Sequence, residues 1–226
     1  MLAPSDYLDL QKTEHLPLFE GVHYAWESLA QIADYLKFRL KPAIHGKLVG
    51  QPFIGNQVYI GEGTVVEPGA FIQGPAWIGA NCVVRHGAYI RENVIVGNHC
   101  VLGNSCEFKN CVLFDDVQVP HFSYVGDSIL GHAVHLGAGV ILSNLKLDKT
   151  TIQVRLADQV LDTGLRKFGA IVGDRCEVGT HAVLNPGSIL GRDCIVYPET
   201  CWRGVLPENS IVKGTTEYVV IPRRLF

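Results

Sequence analysis

The stretch VYIGEGTVVEPGAFIQGPAWIG, residues 58–79, repeats a pattern of six residues. An aliphatic side chain returns at Ile60, Val66, Ile72 and Ile78. Neither the period of an amphipathic helix nor the alternation of a half-buried strand predicts a return at every sixth residue. A repeat of this length is typical of a β-solenoid, in which each repeat forms one short strand and one turn.

The same spacing runs from Ile54 to Trp202, with two slips of one residue and one interruption. Glycine often follows the repeated residue, and a small or β-branched side chain often stands four residues after it. Three such repeats close one triangular coil, and stacked coils bury the repeated side chains. We therefore predict an all-β fold, a parallel β-helix, with inward residues that include Val84, Ile90, Val96, Leu102, Phe108, Val119, Val125, Leu136, Val178 and Leu190.

The cysteines follow the repeat and predict no special chemistry. Seven cysteines is an odd number, and no C-x-x-C pair occurs, which argues against a disulfide framework and against a zinc ribbon. Five of them fall on the small inward position, where a thiol acts as a small hydrophobe: Cys82, Cys100, Cys106, Cys176 and Cys194. We assign no role to Cys111 or Cys201.

Composition bounds the class of protein and its partners. The chain has 226 residues, 47% hydrophobic content and a net charge of −3, so we expect no general attraction for nucleic acid or an anionic membrane. No apolar run has the length of a membrane span, and the start MLAPSDYLDLQKTEHL lacks the pattern of a secretion signal. With the unpaired cysteines, these features favour the reducing cytoplasm.

Two segments stand outside the repeat. Residues 1–45 contain HYAWESLAQIADYLKF, with apolar residues at helical spacing, so we predict a helix that packs on the first coils and caps the open end of the solenoid. The β-helix should then span 46–214. Residues 144–169 should form a protruding loop in which TIQVRL and QVLDTG make a hairpin, and residues 215–226 a C-terminal tail.

The stretch VPHFSYVGDS, residues 119–128, carries the candidate catalytic group. With Val119 inside, His121 should face outward at a turn. Arg85 and Lys109 each follow a repeated residue directly, where glycine or a small polar residue is usual. Two cations on the turns of neighbouring coils would suggest an anion site.

The tract from about 84 to 200 resembles the acetyltransferase half of the bifunctional enzymes that make UDP-N-acetylglucosamine. The resemblance rests on VRHGA with Arg85, CEFKN with Lys109, PHFSYVGD with His121 and Tyr124, HLGAGVILSN with Ala138 and Asn144, and LDTGLRKFGAIVGD with Lys167. AWESL resembles the linker helix that joins the two halves. His135 stands where the family often has Asn.

The resemblance implies a left-handed β-helix, a homotrimer with sites shared between subunits, and acetyl transfer from acetyl-CoA to glucosamine 1-phosphate without a metal. His121 would be the general base, with Ala138 near the oxyanion. Tyr124 and Asn144 would orient the sugar, and the phosphate would be held by Arg85, Lys109 and Lys167. Coenzyme A would run towards Thr180 and, by a looser match, Pro198, with its phosphates near the C-terminal tail. The nucleotidyltransferase half is absent from this chain, so uridylyl transfer should be missing.

Three alternatives remain open from the sequence. A zinc hydratase on the same scaffold needs three converging histidines, and the spacing of His86 and His121 is suggestive, but Gly126 follows, and His132 and His135 should diverge. A non-catalytic module that binds nucleotide sugars would keep the coils without the chemistry. Another acyltransferase would act on a nucleotide-linked sugar, an amino acid or a lipid precursor.

Overall fold

The computed structural model describes residues 2–156 and 159–214. Successive coils of the chain form a parallel β-helix with three flat faces, each a sheet in which every strand pairs with the equivalent strand of the next coil. Strands of face A are Ala43–Ile44, Val58–Ile60, Ala76–Ile78, Val94–Val96, Cys111–Leu113, Ile129–Leu130, Ala170–Val172, Ser188–Leu190 and Val205–Leu206.

The other two faces follow face A in each coil. Strands of face B are Lys47–Leu48, Val65–Val66, Val83–Val84, Val101–Asn104, Gln118–His121, His135–Leu136, Glu177–Val178, Ile195–Val196 and Ile211–Val212. Strands of face C are Phe53–Ile54, Phe71–Ile72, Tyr89–Ile90, Glu107–Lys109, Tyr124–Gly126, Ile141–Leu142, Val183–Leu184 and Cys201–Trp202. We call the turn from face B to face C the BC corner, and the turn from face C to face A the CA corner.

The core is the one that the six-residue repeat predicts. The repeated side chains, among them Leu102, Phe108 and Leu136, are fully buried in one cluster, as are the small residues four positions later. The inward thiols bond to carbonyl groups of the neighbouring coil; Cys176 Sγ, for example, donates to Gly191 O at 2.9 Å. This confirms a structural role for the inward cysteines.

Glycine and the polar turn residues have different structural roles in the coils. The left-handed backbone angles at many corners belong to Asn, Asp and similar residues, such as Asn81 at φ 56°. The glycine that follows a repeated residue, by contrast, is needed for space. A Cβ on Gly79 would lie 2.6 Å from the carbonyl carbon of Gly97 in the next coil. The glycine after a repeated residue therefore permits close stacking of coils.

The N-terminal segment lies along face A and not over the open end of the solenoid, which corrects the cap expected from the sequence. It contains three short helical elements and one longer helix: the α-helix Pro4–Tyr7, the 3₁₀ turns Leu16–Phe19 and Ala25–Glu27, and the α-helix Ser28–Arg39. Their apolar side chains form a second core with the outward residues of face A: Trp77, Ile95, Val112, Ile129, Ile171 and Ile189.

Hydrogen bonds fix the direction of this segment. Asp9 N donates to Asp174 at 2.7 Å, Asp115 N donates to Lys12 O at 3.2 Å, and Trp77 Nε1 donates to Glu14 at 3.2 Å. The segment therefore runs from the late coils back to the early ones before the β-helix begins. Face A is covered, whereas faces B and C stay open.

The inserted loop contains the hairpin that the sequence predicts. Gln153–Arg155 and Val160–Asp162 pair antiparallel. Ile152, Val154 and Phe168 are fully buried in the second core, so the insertion folds back on face A instead of only projecting outward. Residues 157–158 and the predicted tail at 215–226 lie outside the described residues. In the described part of the chain, no helix is long and apolar enough to cross a membrane.

Candidate active site

His121 is the last residue of its face B strand and stands exposed at the BC corner. The left-handed turn that the chain needs there falls on the next residue, Phe122, at φ 52°. Among the described residues, the imidazole nitrogens of His121 accept or donate no hydrogen bond, and the ring lies 6.3 Å from that of Phe122. The base predicted from the sequence is thus available to a ligand from outside.

The predicted coenzyme contacts stack above this histidine. The registers of face B place Ala138, Thr180 and Pro198 at the position of His121 on the three following coils. Backbone bonds tie the same coils together, since Gly139 N donates to His121 O at 3.0 Å. Coils are spaced by about 4.8 Å. The four residues therefore form a straight line along the corner, which we call the donor column.

An open pocket of about 270 Å³ lies beside the upper half of the donor column. Thr180 and Pro198 line it, with Gly179 and Tyr197. Among the described residues, the backbone N–H of Ala138 donates no hydrogen bond within the protein. A free N–H one coil above the imidazole can stabilise negative charge on a carbonyl oxygen bound there.

The CA corner holds a second group of candidate site residues around a buried carboxylate, Asp127, which the sequence analysis did not single out. Lys109 Nζ donates to both its oxygens at 3.0 and 3.3 Å, and Asn110 Nδ2 donates to Oδ1 at 3.0 Å. The amide of Asn144 donates to Oδ2 at 2.5 Å and to the hydroxyl of Tyr124 at 3.0 Å. We call these five residues the carboxylate cluster.

The cluster joins three residues that the sequence predicts as substrate contacts, Lys109, Tyr124 and Asn144. Burial, and then the charge of Asp127, raises the pKa of the Tyr124 hydroxyl above its ordinary value, so Tyr124 stays a neutral donor at the corner. Lys109 is mostly buried and its charge is paired with Asp127. Asp127 has a left-handed backbone angle, φ 46°, which Asp tolerates better than most residues. The turn alone accounts for an Asp at this position, so the sequence carried only a weak signal for its role in the cluster.

Lys167 ends the inserted loop near the same corner. Its neighbour Phe168 donates its backbone N–H to Asn144 O at 3.0 Å, and Gly169 N donates to Asp127 O at 2.8 Å. These two bonds tie the end of the loop to the carboxylate cluster. The side chain of Lys167 is exposed, so it can reach a ligand bound over the cluster.

Arg85 and Lys109 lie on neighbouring coils, but they do not share a corner, so they do not stand side by side as the predicted pair of cations would. Arg85 follows a face B strand and belongs to the BC corner, two coils before His121. Arg91 is the arginine in register with Lys109, one coil earlier, where it donates to Glu107 at 2.9 Å. Counting repeats along the sequence would have identified Arg91, because it precedes Lys109 by 18 residues, which is three repeats.

The base and the carboxylate cluster occupy different corners of one chain. His121 begins the crossing of face C, and Gly126, which is in register with Lys109, ends it. The four residues between these positions span roughly 10–15 Å at about 3.3 Å per residue. The two groups therefore lie at opposite edges of face C.

The histidines of the zinc alternative face separate partners. His86 Nδ1 bonds Pro68 O at 2.6 Å, His132 Nδ1 bonds Asp115 O at 3.0 Å, and His135 Nδ1 bonds Glu177 at 2.8 Å. Within residues 2–156 and 159–214, no three His, Cys, Asp or Glu side chains converge as a metal site.

Comparison with known proteins decides the family. The uncharacterized acetyltransferase YaiX of Escherichia coli is 33% identical over 188 residues, which cover 82% of this chain and 79% of YaiX. This chain belongs to the hexapeptide-repeat acetyltransferases. The parallel β-helix of hexapeptide repeats predicted from the sequence is confirmed by the strand order of its three sheets.

Other relatives of this chain are longer proteins. The bifunctional protein GlmU of Methanococcus maripaludis is 30% identical over 244 residues, which cover 99% of this chain and 57% of GlmU. The chain thus spans about half the length of the bifunctional relatives it matches. The family model described as the GMPPB C-terminal domain matches residues 72–161. Among solved structures, LpxA from Acinetobacter baumannii aligns with a TM-score of 0.48 and 16% identity, over 78% of this chain and 69% of that one.

Proposed function

We propose that this acetyltransferase moves the acetyl group of acetyl-CoA to the amine of an amino-sugar phosphate, with glucosamine 1-phosphate as the acceptor. The observation that carries the proposal is the donor column: an exposed imidazole at its foot, a free backbone N–H one coil above it, and an open groove beyond. The bifunctional relatives named GlmU, which match the whole chain, support the choice of acceptor.

In this mechanism His121 acts as the general base. The amine nitrogen attacks the thioester carbon while its proton passes to the imidazole, and the Ala138 N–H stabilises the oxyanion that forms. Collapse of the tetrahedral intermediate breaks the carbon–sulfur bond, and the proton on His121 is then delivered to the leaving thiolate. An imidazole suits both transfers near neutral pH. No step needs a cysteine nucleophile, and the inward cysteines remain structural.

The acceptor would lie over the carboxylate cluster. Lys109, Lys167 and Arg91 would hold its phosphate by charge-assisted hydrogen bonds. Arg91 replaces Arg85 in this role, because it stands one coil from Lys109 on the same corner. Tyr124 and Asn144, already bonded to each other, would orient the sugar ring.

The site is complete only between copies, and we propose a homotrimer in which the CA corner of one chain meets the BC corner of the next. Face A is covered by the N-terminal segment, whereas face C exposes a stack of aromatic side chains. Phe53 and Phe71 stack at 4.2 Å between ring centroids, and Tyr89 follows at 5.5 Å. Faces of this kind favour burial against another subunit. The seven free thiols fit a protein that works in the reducing cytoplasm.

The test is release of coenzyme A from acetyl-CoA with a panel of acceptors: glucosamine 1-phosphate, glucosamine 6-phosphate, glucosamine and a UDP-linked amino sugar. We expect turnover with glucosamine 1-phosphate and loss of about 10²–10⁴-fold in His121→Asn, the usual contribution of a positioned base. His99→Asn is the matched control, because His99 is exposed and its φ of 58° suits Asn. Equal activity of the two variants would show that His121 is not the base.

A further inference from the structure

A pocket on the CA corner, separate from the carboxylate cluster, is lined by basic side chains. Its volume is about 440 Å³, and Lys146, Asn185, Pro186 and Arg203 are among its lining residues. A smaller recess adjoins it, lined by Arg155 together with Lys146, Pro186 and Arg203. Lys146 and Arg155 come from the inserted loop, whereas Arg203 comes from the corner itself. We call the two spaces together the basic pocket.

Positive charge exceeds negative charge in the basic pocket. Asp148 is the one carboxylate among its described lining residues, and it lies 3.7 Å from Lys146 Nζ. Asp148 also accepts hydrogen bonds from Thr150, from its backbone N–H at 3.0 Å and from its hydroxyl at 2.8 Å. Three cations against one carboxylate leave an excess of charge that an anionic ligand would neutralise.

Lys146 is held in position before any ligand binds. Its Nζ donates to the hydroxyl of Thr150 and to Thr151 O at 3.2 Å, and its side chain is only a quarter exposed. A cation fixed in this way loses little freedom when it binds an anion, which makes binding more favourable.

The height of the basic pocket along the solenoid identifies what it faces. Asn185 follows the face C strand of the Thr180 coil, and Arg203 follows the strand of the Pro198 coil. The basic pocket therefore stands level with the far end of the donor column, as the carboxylate cluster stands level with His121. When the CA corner of one copy meets the BC corner of the next with the solenoid axes parallel, the basic pocket faces the far end of the donor column. The carboxylate cluster then faces His121.

We infer that the basic pocket binds the phosphate groups of the acetyl donor, the diphosphate and 3′-phosphate of a coenzyme A held in the donor column of the neighbouring copy. This inference rests on the proposed function. It gives the inserted loop a role in recognising the donor, while the end of the loop at Lys167 serves the acceptor.

The test compares donors that differ only in phosphate. The double variant Lys146→Gln, Arg203→Gln should raise the KM for acetyl-CoA by about tenfold or more, through loss of charge-assisted hydrogen bonds. Its KM for S-acetylpantetheine, which lacks phosphate, should not change. Lys149→Asn is the matched control, because Lys149 is exposed on the same loop, lines neither space, and has a φ of 58° that suits Asn. An unchanged KM for acetyl-CoA in the double variant overturns the inference and leaves the proposed function standing.

A binding measurement separates the remaining outcomes. Titration calorimetry with adenosine 3′,5′-bisphosphate should show binding to the wild-type protein and about tenfold or more weaker binding to the double variant. That result supports the basic pocket even if no acetyl transfer is found, in which case only the proposed function fails. Equal binding by both proteins overturns the inference. A raised KM for glucosamine 1-phosphate, with that for acetyl-CoA unchanged, also overturns it, because the pocket would then serve the phosphate of the acceptor.

Discussion

Lys109 and Asp127 form a mostly buried ion pair at the CA corner, with Nζ 3.0 and 3.3 Å from the two carboxylate oxygens. The cation that the sequence predicts as a phosphate contact is therefore oriented by a carboxylate. The same carboxylate accepts from Asn110 and Asn144. Asp127 thus positions Lys109 and Asn144, two of the groups that we propose as contacts of the acceptor.

Asp127→Asn should disorder this corner without disturbing the backbone, because Asn tolerates the φ of 46° at that position. We expect the KM for glucosamine 1-phosphate to rise by about tenfold, and the free energy of unfolding to fall by about 1–3 kcal/mol, because Lys109 loses the charge of its partner and one of its two acceptor oxygens. The KM for acetyl-CoA should stay close to that of the wild type. Steady-state kinetics with each substrate varied, together with urea denaturation, measure these effects.

Asp116→Asn is the control for that substitution. Asp116 also has a left-handed φ, of 64°, but it lies between face A and face B and is half exposed. If Asp127→Asn kept the wild-type KM for the acceptor, the carboxylate cluster would have no part in substrate binding.

Acid should loosen the N-terminal segment through His15. This side chain is fully buried against Trp77, and its Nε2 has no hydrogen-bond partner in the described chain. Burial, and then the charge of Arg39, lowers the pKa of His15 from 6.5 to about 4. The folded state therefore binds the proton less readily than the unfolded state. Stability is complete above pH 6.5 and falls between about 6.5 and 4, by up to about 3 kcal/mol.

His15→Gln should abolish this pH dependence, since Gln does not titrate and can still bond the Tyr35 hydroxyl that lies 3.0 Å from His15 Nδ1. Urea midpoints at pH 7.5 and pH 5 measure the effect, with His99→Asn as the exposed control. Identical pH profiles for the wild type and His15→Gln would show that His15 is not the group that senses acid.

The coils were predictable because the inward position is set within each repeat. Any side chain at the place of Leu102 or Cys100 meets the axis, whatever the rest of the chain does. The packing of the N-terminal helix was not predicted, although a signal existed. Outward apolar residues recur on face A once per coil, at Trp77, Ile95 and Val112. Such outward apolar residues indicate that another segment packs on this face.

Local motifs named the residues of the candidate site, but they did not predict how these residues are arranged. His121, Ala138, Thr180 and Pro198 stand on one column because they occupy equivalent places in their coils, which local motifs preserve. Which arginine joins Lys109 depends on counting whole coils, because Arg91 precedes Lys109 by three repeats and Arg85 by four. The role of Asp127 depends on partners from the coils before and after its own, and no local pattern contains them.

A charge in the exposed aromatic stack should break the proposed trimer. Phe71 is 41% exposed on face C between Phe53 and Tyr89. Burying an Asp at that place in a subunit interface has a large desolvation cost, so Phe71→Asp should elute as a monomer. Light scattering coupled to size exclusion measures the mass. Phe38→Asp is the control, because Phe38 is 83% exposed on the Ser28–Arg39 helix, away from face C. A trimer in both variants would place the interface elsewhere.

Mixing two inactive variants tests whether each site is built from two chains. His121→Asn lacks the base, and Lys109→Gln lacks the phosphate contact while its amide can still donate to Asp127. Alone, each should lose most activity. In trimers refolded from an equal mixture, about one site in four pairs an intact His121 with an intact Lys109 of the neighbouring chain, so activity should return to about a quarter of the wild-type value. Mixing either variant with a chain that carries both substitutions gives no intact pair and should restore nothing. If the original mixture also stayed inactive, the two corners would not share a site, and the division of the active site between the BC and CA corners would be wrong.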